Sequence, residues 1–170
     1  SIFADTVDGA ESEFNARNLQ VMVGQTKYDI GREAELVKAF LKLRPEGLIL
    51  TGSNHLPIVH DLLQAADIPV AECWGRAESA IGISVGFDNQ AAARDIVTHM
   101  IDRGRRRIAM LCAPRHFDNR LQQRIDGYEE AMNLHGLEID VHDNIEGSST
   151  YSGFHQSGKV LDHILQQRPN

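Results

Sequence analysis

The chain has 170 residues, of which 42% are hydrophobic, and 17 basic against 24 acidic side chains give it a net charge of −7. This length and composition argue against disorder, and the acidic balance argues against a nucleic-acid surface in these residues, because such surfaces need clustered cations. Two cysteines in apolar runs, no CxxC pair and no apolar stretch of membrane-spanning length favour a cytoplasmic protein with reduced thiols.

Helical and strand-like patterns alternate along the chain. In chain order, the apolar spacing predicts a helix over 3–14, a strand over 19–23, a helix over 30–43, a strand over 48–51 and a helix over 56–66. There follow strands over 68–71 and 81–85, a helix over 90–101 capped by Asp88, a strand over 108–112, and helices over 119–135 and 151–167. Short connections between such elements imply parallel sheets flanked by helices on both faces.

Two strand-like runs, 68–71 and 81–85, follow each other with no helix between them. A chain can leave one sheet and enter a second at such a point. We therefore expect two lobes, an N-terminal lobe over 1–86 and the first part of a C-terminal lobe over 87–170.

Several motifs that would indicate an enzyme are missing from the sequence. There is no GxGxxG, no GxxxxGK[ST] and no HExxH. His55 and His60 are five residues apart, and Asp140, His142 and Asp143 fall in a predicted loop, so ordinary polar residues are favoured over metal ligands. We expect no catalytic residue, no metal and no cofactor.

Two arginines, Arg120 and Arg124, lie one helical turn apart near the start of the helix predicted over 119–135. Like charges at this spacing repel, which favours an anionic or polyhydroxylated partner. Helix starts at the carboxyl ends of parallel strands are also common ligand sites. The alternative is a solvated basic face with Asp118 and Asp126 as exposed partners, and position alone leaves both interpretations open.

Residues just beyond the predicted strands are further candidates, because parallel strands end at one edge of the sheet. They are Thr51, Gly52 and Ser53, then Glu72 and Trp74, then Phe87 and Asp88. Trp74, the sole tryptophan, could stack on a sugar ring or pack in the core of a lobe. Asp88 could bind ligand or only cap a helix, and Phe3 could line a pocket or belong to the core.

Five segments, in order and spacing, resemble the LacI/GalR family of bacterial transcription regulators. They are Gly47–Thr51, Ile68–Val70, Val85–Asn89, Arg106–Ala109 and Arg124–Tyr128. The likeness spans nearly the whole chain. Glu72, Val85–Asn89 and the stretch from Gly127 to His135 look most similar to the gluconate-utilisation repressors of that family.

The resemblance implies a periplasmic-binding-protein-like fold, here a partial chain, with a sugar or sugar-acid effector held between two lobes. It implies a homodimer that binds operator DNA through a helix-turn-helix headpiece absent from this chain. Arg124 matches the family's ligand-contacting arginine, and Arg120 occupies another frequent contact position. Phe3 and Phe87 align with residues that often line the pocket.

The sequence also departs from the family's pattern. By comparison with the family, the first strand and about half of the C-terminal lobe are absent, so we expect the strand over 19–23 to be unpaired or to borrow a neighbour. Cys73 and Trp74 stand where the family often has an aspartate, which argues against a sugar-hydroxyl contact there. A secreted solute-binding protein is the main alternative, and an α/β enzyme is a third.

Overall fold

The computed structural model describes residues 3–76, 80–113, 118–143 and 162. Five helices lie within these residues: α1 (Ala4–Asn15), α2 (Ile30–Leu41), α3 (Pro57–Ala66), α4 (Asn89–Asp102) and α5 (Asn119–Leu134). The strands there are β1 (Leu48–Thr51), β2 (Val70–Cys73), β3 (Ile83–Val85), β4 (Met110–Leu111) and β5 (Val141–His142).

The described strands form two parallel sheets. The first sheet has the order β1-β2-β3, with Leu50 beside Glu72 and Glu72 beside Ser84. The second pairs β4 with β5. Helix α3 connects the parallel strands β1 and β2, and α5 connects β4 and β5, as the predicted alternation requires. Within the described residues there is no helix between β2 and β3, as predicted, and no strand between α1 and α2, where one was predicted.

Each sheet is associated with its own apolar core. The buried residues of the first core are Ala34, Val37, Leu50, Val59, Leu63 and Val70. Those of the second are Val97, Ile101, Ile108, Tyr128, Ala131 and Met132. The second core lies mainly between α4 and α5, because Gly127 lets the two helix backbones approach closely.

Aspartates begin three of the helices. Asp29 accepts hydrogen bonds from two backbone N–H groups at the start of α2, and Asp88 accepts one at the start of α4. Asp118 does the same for α5. A carboxylate at this position satisfies N–H groups that have no partner within the helix, so the sequence itself fixes where these helices begin.

The segment 19–23, which we expected to be a strand that is unpaired or borrows a neighbour, is unpaired within the described sheets, and for that reason it does not count as a strand. Extended backbone becomes a strand only when it pairs with a neighbour, and within the described sheets no strand pairs with it. Met22 and Val23 are instead largely exposed. The helix predicted over 151–167 lies outside the described residues apart from Asp162.

Two other predictions need correction. Strand β2 covers Val70–Cys73 rather than 68–71, since Pro69 has no N–H to donate to a ladder. The loop predicted around Asp140, His142 and Asp143 contains β5, whose Val141 pairs with Met110. The signal was present, because Leu137, Ile139 and Val141 alternate with polar residues as in a half-buried strand.

A buried polar cluster of Glu33, His55 and Glu72 lies under the first sheet's carboxyl edge. His55 Nδ1 is 2.6 Å from a Glu33 carboxylate oxygen, and its Nε2 is 3.2 Å from a Glu72 oxygen. The other Glu72 oxygen accepts a hydrogen bond from the backbone N–H of Ile81. The cluster therefore links α2, β2 and the segment before β3 through one imidazole.

The charge state of His55 follows from this geometry. Burial alone would lower the pKa of His55, but the hydrogen bond and charge of Glu33, followed by those of Glu72, outweigh burial. The pKa is therefore raised above 6.5. A cationic imidazole between two carboxylates leaves the cluster with less uncompensated charge than a neutral one would.

This raised pKa predicts a pH-dependent stability. Protonated His55 contributes fully below pH 6.5, its unfolded value, and the contribution is lost as pH rises through the folded-state pKa. Urea denaturation from about pH 6 to about pH 9 should show the free energy of unfolding decreasing by about 1.4 kcal/mol per unit of pKa shift. His60, whose ring is 6.0 Å away and which is exposed, is the control. The interpretation is wrong if His55→Gln keeps the wild-type pH profile, or if His60→Gln removes it.

Candidate functional site

The carboxyl ends of β1 and β2 form one edge of the first sheet. Gly52 follows β1, and its N–H donates to the Cys73 carbonyl at 2.8 Å. Trp74 follows β2, and its N–H donates to the Val85 carbonyl at 3.0 Å. Trp74 has a φ of 70°, a left-handed conformation that is uncommon for a bulky side chain. The backbone therefore turns sharply at this edge.

Arg120 extends from α5 to this edge. A Cβ placed on Gly75 would lie 3.9 Å from Arg120 Cγ and 3.9 Å from Ser53 Oγ, and one placed on Gly52 would lie 4.0 Å from Arg120 Nε. Glycine at 52 and 75 leaves room for the arginine stem. The start of α5, which belongs to the second sheet's layer, thus contacts the strand ends of the first sheet.

The charge of Arg120 is compensated within its own turn. Its Nε donates to both carboxylate oxygens of Asp118, at 3.0 and 2.8 Å, and its backbone N–H donates to the same carboxylate. Both side chains are largely buried. Asp118 therefore pairs with Arg120, as the alternative interpretation held, but both side chains are largely buried rather than solvated, and Asp126 instead accepts from Gln122.

Arg124 is in a different electrostatic situation. It is half-buried, and its Nη1 donates to Asn89 Oδ1 at 2.6 Å. Burial lowers the pKa of Arg124, with Asp118 raising it and Arg120 lowering it further. Within residues 3–76, 80–113 and 118–143 no carboxylate forms an ion pair with Arg124. Its cation is thus held by a neutral amide and remains available to an anion.

Asn89 connects Arg124 to the first sheet. Its side chain is almost fully buried, and its Nδ2 donates to the Trp74 carbonyl at 3.2 Å while its Oδ1 accepts from Arg124. One amide therefore bridges the end of β2 and the middle of α5.

Aromatic side chains lie beside the same edge. The rings of Phe3 and Trp74 meet edge to face with centroids 5.2 Å apart, and both residues are partly exposed. Phe87 is half exposed. Trp74 is thus not a core residue of the first sheet, and it offers a partly open aromatic surface near the arginines.

The structure brings some of the predicted candidate residues together and leaves others apart. Ser53, Arg120 and Trp74 converge at Gly52 and Gly75, Phe3 joins them through Trp74, and Arg124 is connected through Asn89. Asp88 caps α4 by accepting from Ala91 N–H, as the capping interpretation predicted. Glu72 is directed into the His55 cluster rather than toward the edge.

Sequence reasoning missed Asn89, and it named Asp118 only as an exposed partner of the arginines. Asn89 stood in one of the family-like segments, directly after the predicted cap, but nothing in sequence spacing places it against Arg124. The part of the chain that the structure describes holds no group of three or more side chains able to bind a metal ion. In the same residues, no helix is both long and apolar enough to cross a membrane.

Comparison with known proteins identifies the family. The family described as periplasmic binding proteins and sugar binding domain of LacI family matches residues 1–170. The chain belongs to this family. The predicted periplasmic-binding-protein-like fold, with parallel sheets and helices, is thereby confirmed.

Relatives within the LacI family are transcription regulators. The regulator GntR of Escherichia coli K12 is 37% identical over 151 residues, covering 89% of this chain and 45% of GntR. IdnR of the same organism is 35% identical, covering 80% of this chain and 41% of IdnR. The chain thus spans less than half the length of these relatives, which are regulators rather than enzymes.

Solved structures of the LacI family superpose on the chain. The crystal structure of transcription regulator GntR from Chromobacterium violaceum has a TM-score of 0.83 at 28% identity, covering 99% of this chain and 60% of that one. A LacI family regulator from Silicibacter pomeroyi has a TM-score of 0.82 at 30% identity, covering 98% and 61%. The predicted resemblance to LacI-type regulators, including those named GntR, is confirmed.

Proposed function

We propose that this chain is the effector-sensing region of a cytoplasmic bacterial transcriptional repressor of the LacI family, and that it is not an enzyme. The effector is a sugar or sugar acid, with gluconate as the first candidate. It binds between an N-terminal lobe over 1–86 and a C-terminal lobe that begins at 87. The protein acts as a homodimer and contacts operator DNA through a headpiece outside these residues.

The observation that carries this proposal is the state of Arg124. The guanidinium of Arg124 is half-buried and has no carboxylate partner in the described residues. Burying such a charge is costly unless an anion pairs with it. A carboxylate suits the planar fork, which can donate two parallel hydrogen bonds to it. A sugar acid supplies that group, whereas a neutral sugar does not.

The other candidates suit the polyhydroxylated part of such an effector. The partly exposed ring of Trp74, supported by Phe3, offers a surface for the apolar face of a carbon chain. Ser53 has a hydroxyl that can donate to or accept from an effector hydroxyl. Phe87, half exposed beside the α4 cap, completes the proposed wall, and Arg120 stabilises the arrangement through Asp118.

Effector binding changes DNA affinity only if the effector binds two lobe arrangements with different affinity. Arg120 and Asn89 both connect α4 or α5 to the strand ends of the first sheet. An effector held by Arg124 is thus positioned to favour one arrangement. The LacI-family relatives are regulators, which favours this function over that of a solute carrier.

Calorimetric titration of the full-length protein with gluconate tests the proposal. Arg124→Ala should weaken binding by about 10-fold to about 150-fold, because a hydrogen bond to a charged group contributes about 1.5–3 kcal/mol. The matched control is Arg94→Ala, since Arg94 is partly exposed on α4 and pairs with Glu130. Gluconate binding that is undiminished in Arg124→Ala would remove the assigned role.

A second measurement tests the regulatory part. In a gel-shift experiment with the operator, gluconate should alter the affinity of the wild-type protein and leave that of Arg124→Ala unchanged. Binding of gluconate with no effect on DNA affinity would instead favour the solute-carrier alternative.

A further inference from the structure

Asn89 contacts both parts of the candidate site. It is the first residue of α4, its side chain is 1% exposed, and each end of its amide makes one hydrogen bond. The acceptor end receives the Arg124 guanidinium at 2.6 Å, and the donor end reaches the Trp74 carbonyl at 3.2 Å. Asp88, the neighbouring carboxylate, is engaged in capping α4.

We propose that Asn89 is a positioning and specificity-determining residue, which orients the Arg124 guanidinium for an anionic effector while leaving its charge uncompensated. This inference rests on the proposed function of Arg124 as an anion-binding residue. It goes beyond it, because it assigns the neutral amide at position 89 a role in setting which effectors bind.

The amide can adopt only one orientation here. Rotating it by half a turn would place its NH₂ against the guanidinium and its oxygen against the Trp74 carbonyl, so both contacts would become repulsive. Burial removes competing water, which strengthens this preference. Arg124 is therefore held by a partner that is itself fixed by the end of β2.

To leave Arg124 free for an anion, the side chain at position 89 has to be uncharged as well as correctly placed. A carboxylate there could also accept from Arg124, but it would neutralise the cation and compete with an incoming effector carboxylate. Asp118 already compensates Arg120 in this way. Of these two arginines, only Arg124 has no carboxylate partner among the described residues, and we assign the anion to it.

The first test replaces the amide with its isosteric acid. In the full-length protein, Asn89→Asp should weaken gluconate binding at least about tenfold, as expected when a charge-assisted contact is lost. Its thermal midpoint should fall, because the carboxylate places an oxygen against the Trp74 carbonyl, so the comparison of two ligands is the deciding measurement. Sorbitol, a neutral polyol of the same carbon number, should be affected much less. Asn133→Asp, which adds the same charge at an exposed site near the end of α5, is the control.

A purely structural role for Asn89 predicts different results. It predicts that Asn89→Asp weakens the binding of gluconate and of sorbitol to the same extent. The proposal is overturned if Asn89→Asp leaves the affinity for gluconate unchanged, or if it lowers the affinities for gluconate and sorbitol equally.

A second variant keeps the proposal testable if Asn89→Asp does not fold. Asn89→Ala removes both hydrogen bonds at a helix position that tolerates alanine, and it should weaken gluconate binding by about tenfold. In an Arg124→Lys background, which lacks the fork, Asn89→Ala should add little further loss. Additive losses would show that the two residues act independently and would overturn the proposal.

A third readout needs no effector. The side-chain N–H signal of Arg124, observed by ¹⁵N NMR in the ligand-free protein, should be resolved in the wild type and broadened or shifted in Asn89→Ala. An unchanged signal overturns the positioning role. If wild-type protein does not bind gluconate but this signal responds, the sugar-acid assignment fails while the role of Asn89 is supported.

Discussion

Replacing His55 with leucine should lower the free energy of unfolding by about 3–5 kcal/mol, the largest effect expected for a single substitution in this chain. The leucine fills the space but leaves the carboxylates of Glu33 and Glu72 facing each other without a cation. Glu72 is only 2% exposed, so water cannot compensate its charge. Urea denaturation of the full-length protein at about pH 6, where His55 is protonated, measures the loss.

A double substitution distinguishes this cause from simple loss of packing. His55→Leu combined with Glu72→Leu removes the uncompensated buried charge, so the double variant should recover part of the stability. His60→Leu replaces an exposed side chain of α3, so it should change the free energy of unfolding by less than about 0.5 kcal/mol. A double variant that loses the full sum of both single effects would contradict the electrostatic explanation.

Gly127→Ala should lower the free energy of unfolding by about 3 kcal/mol, at the upper end of what overpacking costs. A Cβ at position 127 would overlap the Gln90 carbonyl oxygen and lie 3.0 Å from the Arg94 backbone nitrogen. These are backbone atoms of α4, so no side-chain rotation can relieve the contact. The two helices would have to separate, which opens the second core.

Gly9→Ala is the matched control for this prediction. Gly9 is exposed within α1, and a Cβ there would meet nothing within 4 Å. Alanine is the better helix former, so Gly9→Ala should raise stability by about 0.5–1 kcal/mol. If Gly127→Ala is stabilising to the same extent, the close approach of α4 and α5 is not what requires glycine at this position.

Much of the fold follows from local patterns in the sequence. The helices α2, α4 and α5 were predicted within two residues because each has a regular apolar face, and the cap of α4 at Asp88 was predicted as well. Parallel strands followed from the alternation of elements. Pairing partners are set by distant residues, however, so the segment over 19–23 was predicted as a strand although it pairs with none in the described sheets.

The candidate site was predicted less completely than the fold. Position at a strand end or a helix start was enough to select Arg120, Arg124, Ser53 and Trp74. It could not show that Asp118 neutralises Arg120, or that a buried asparagine holds Arg124. The first contact depends on the side-chain conformations within one turn and the second on how two layers meet, and sequence spacing specifies neither.

The left-handed backbone at Trp74 affects how easily the protein can change shape. A bulky residue at a φ of 70° stores about 1–3 kcal/mol of conformational strain. The hydrogen bonds to the Val85 carbonyl and from Asn89, on either side of this residue, hold it there. A rearrangement that breaks one of these bonds regains part of the strain energy. In the proposed switch between two lobe arrangements, the free-energy difference is then smaller than the broken contacts alone would suggest.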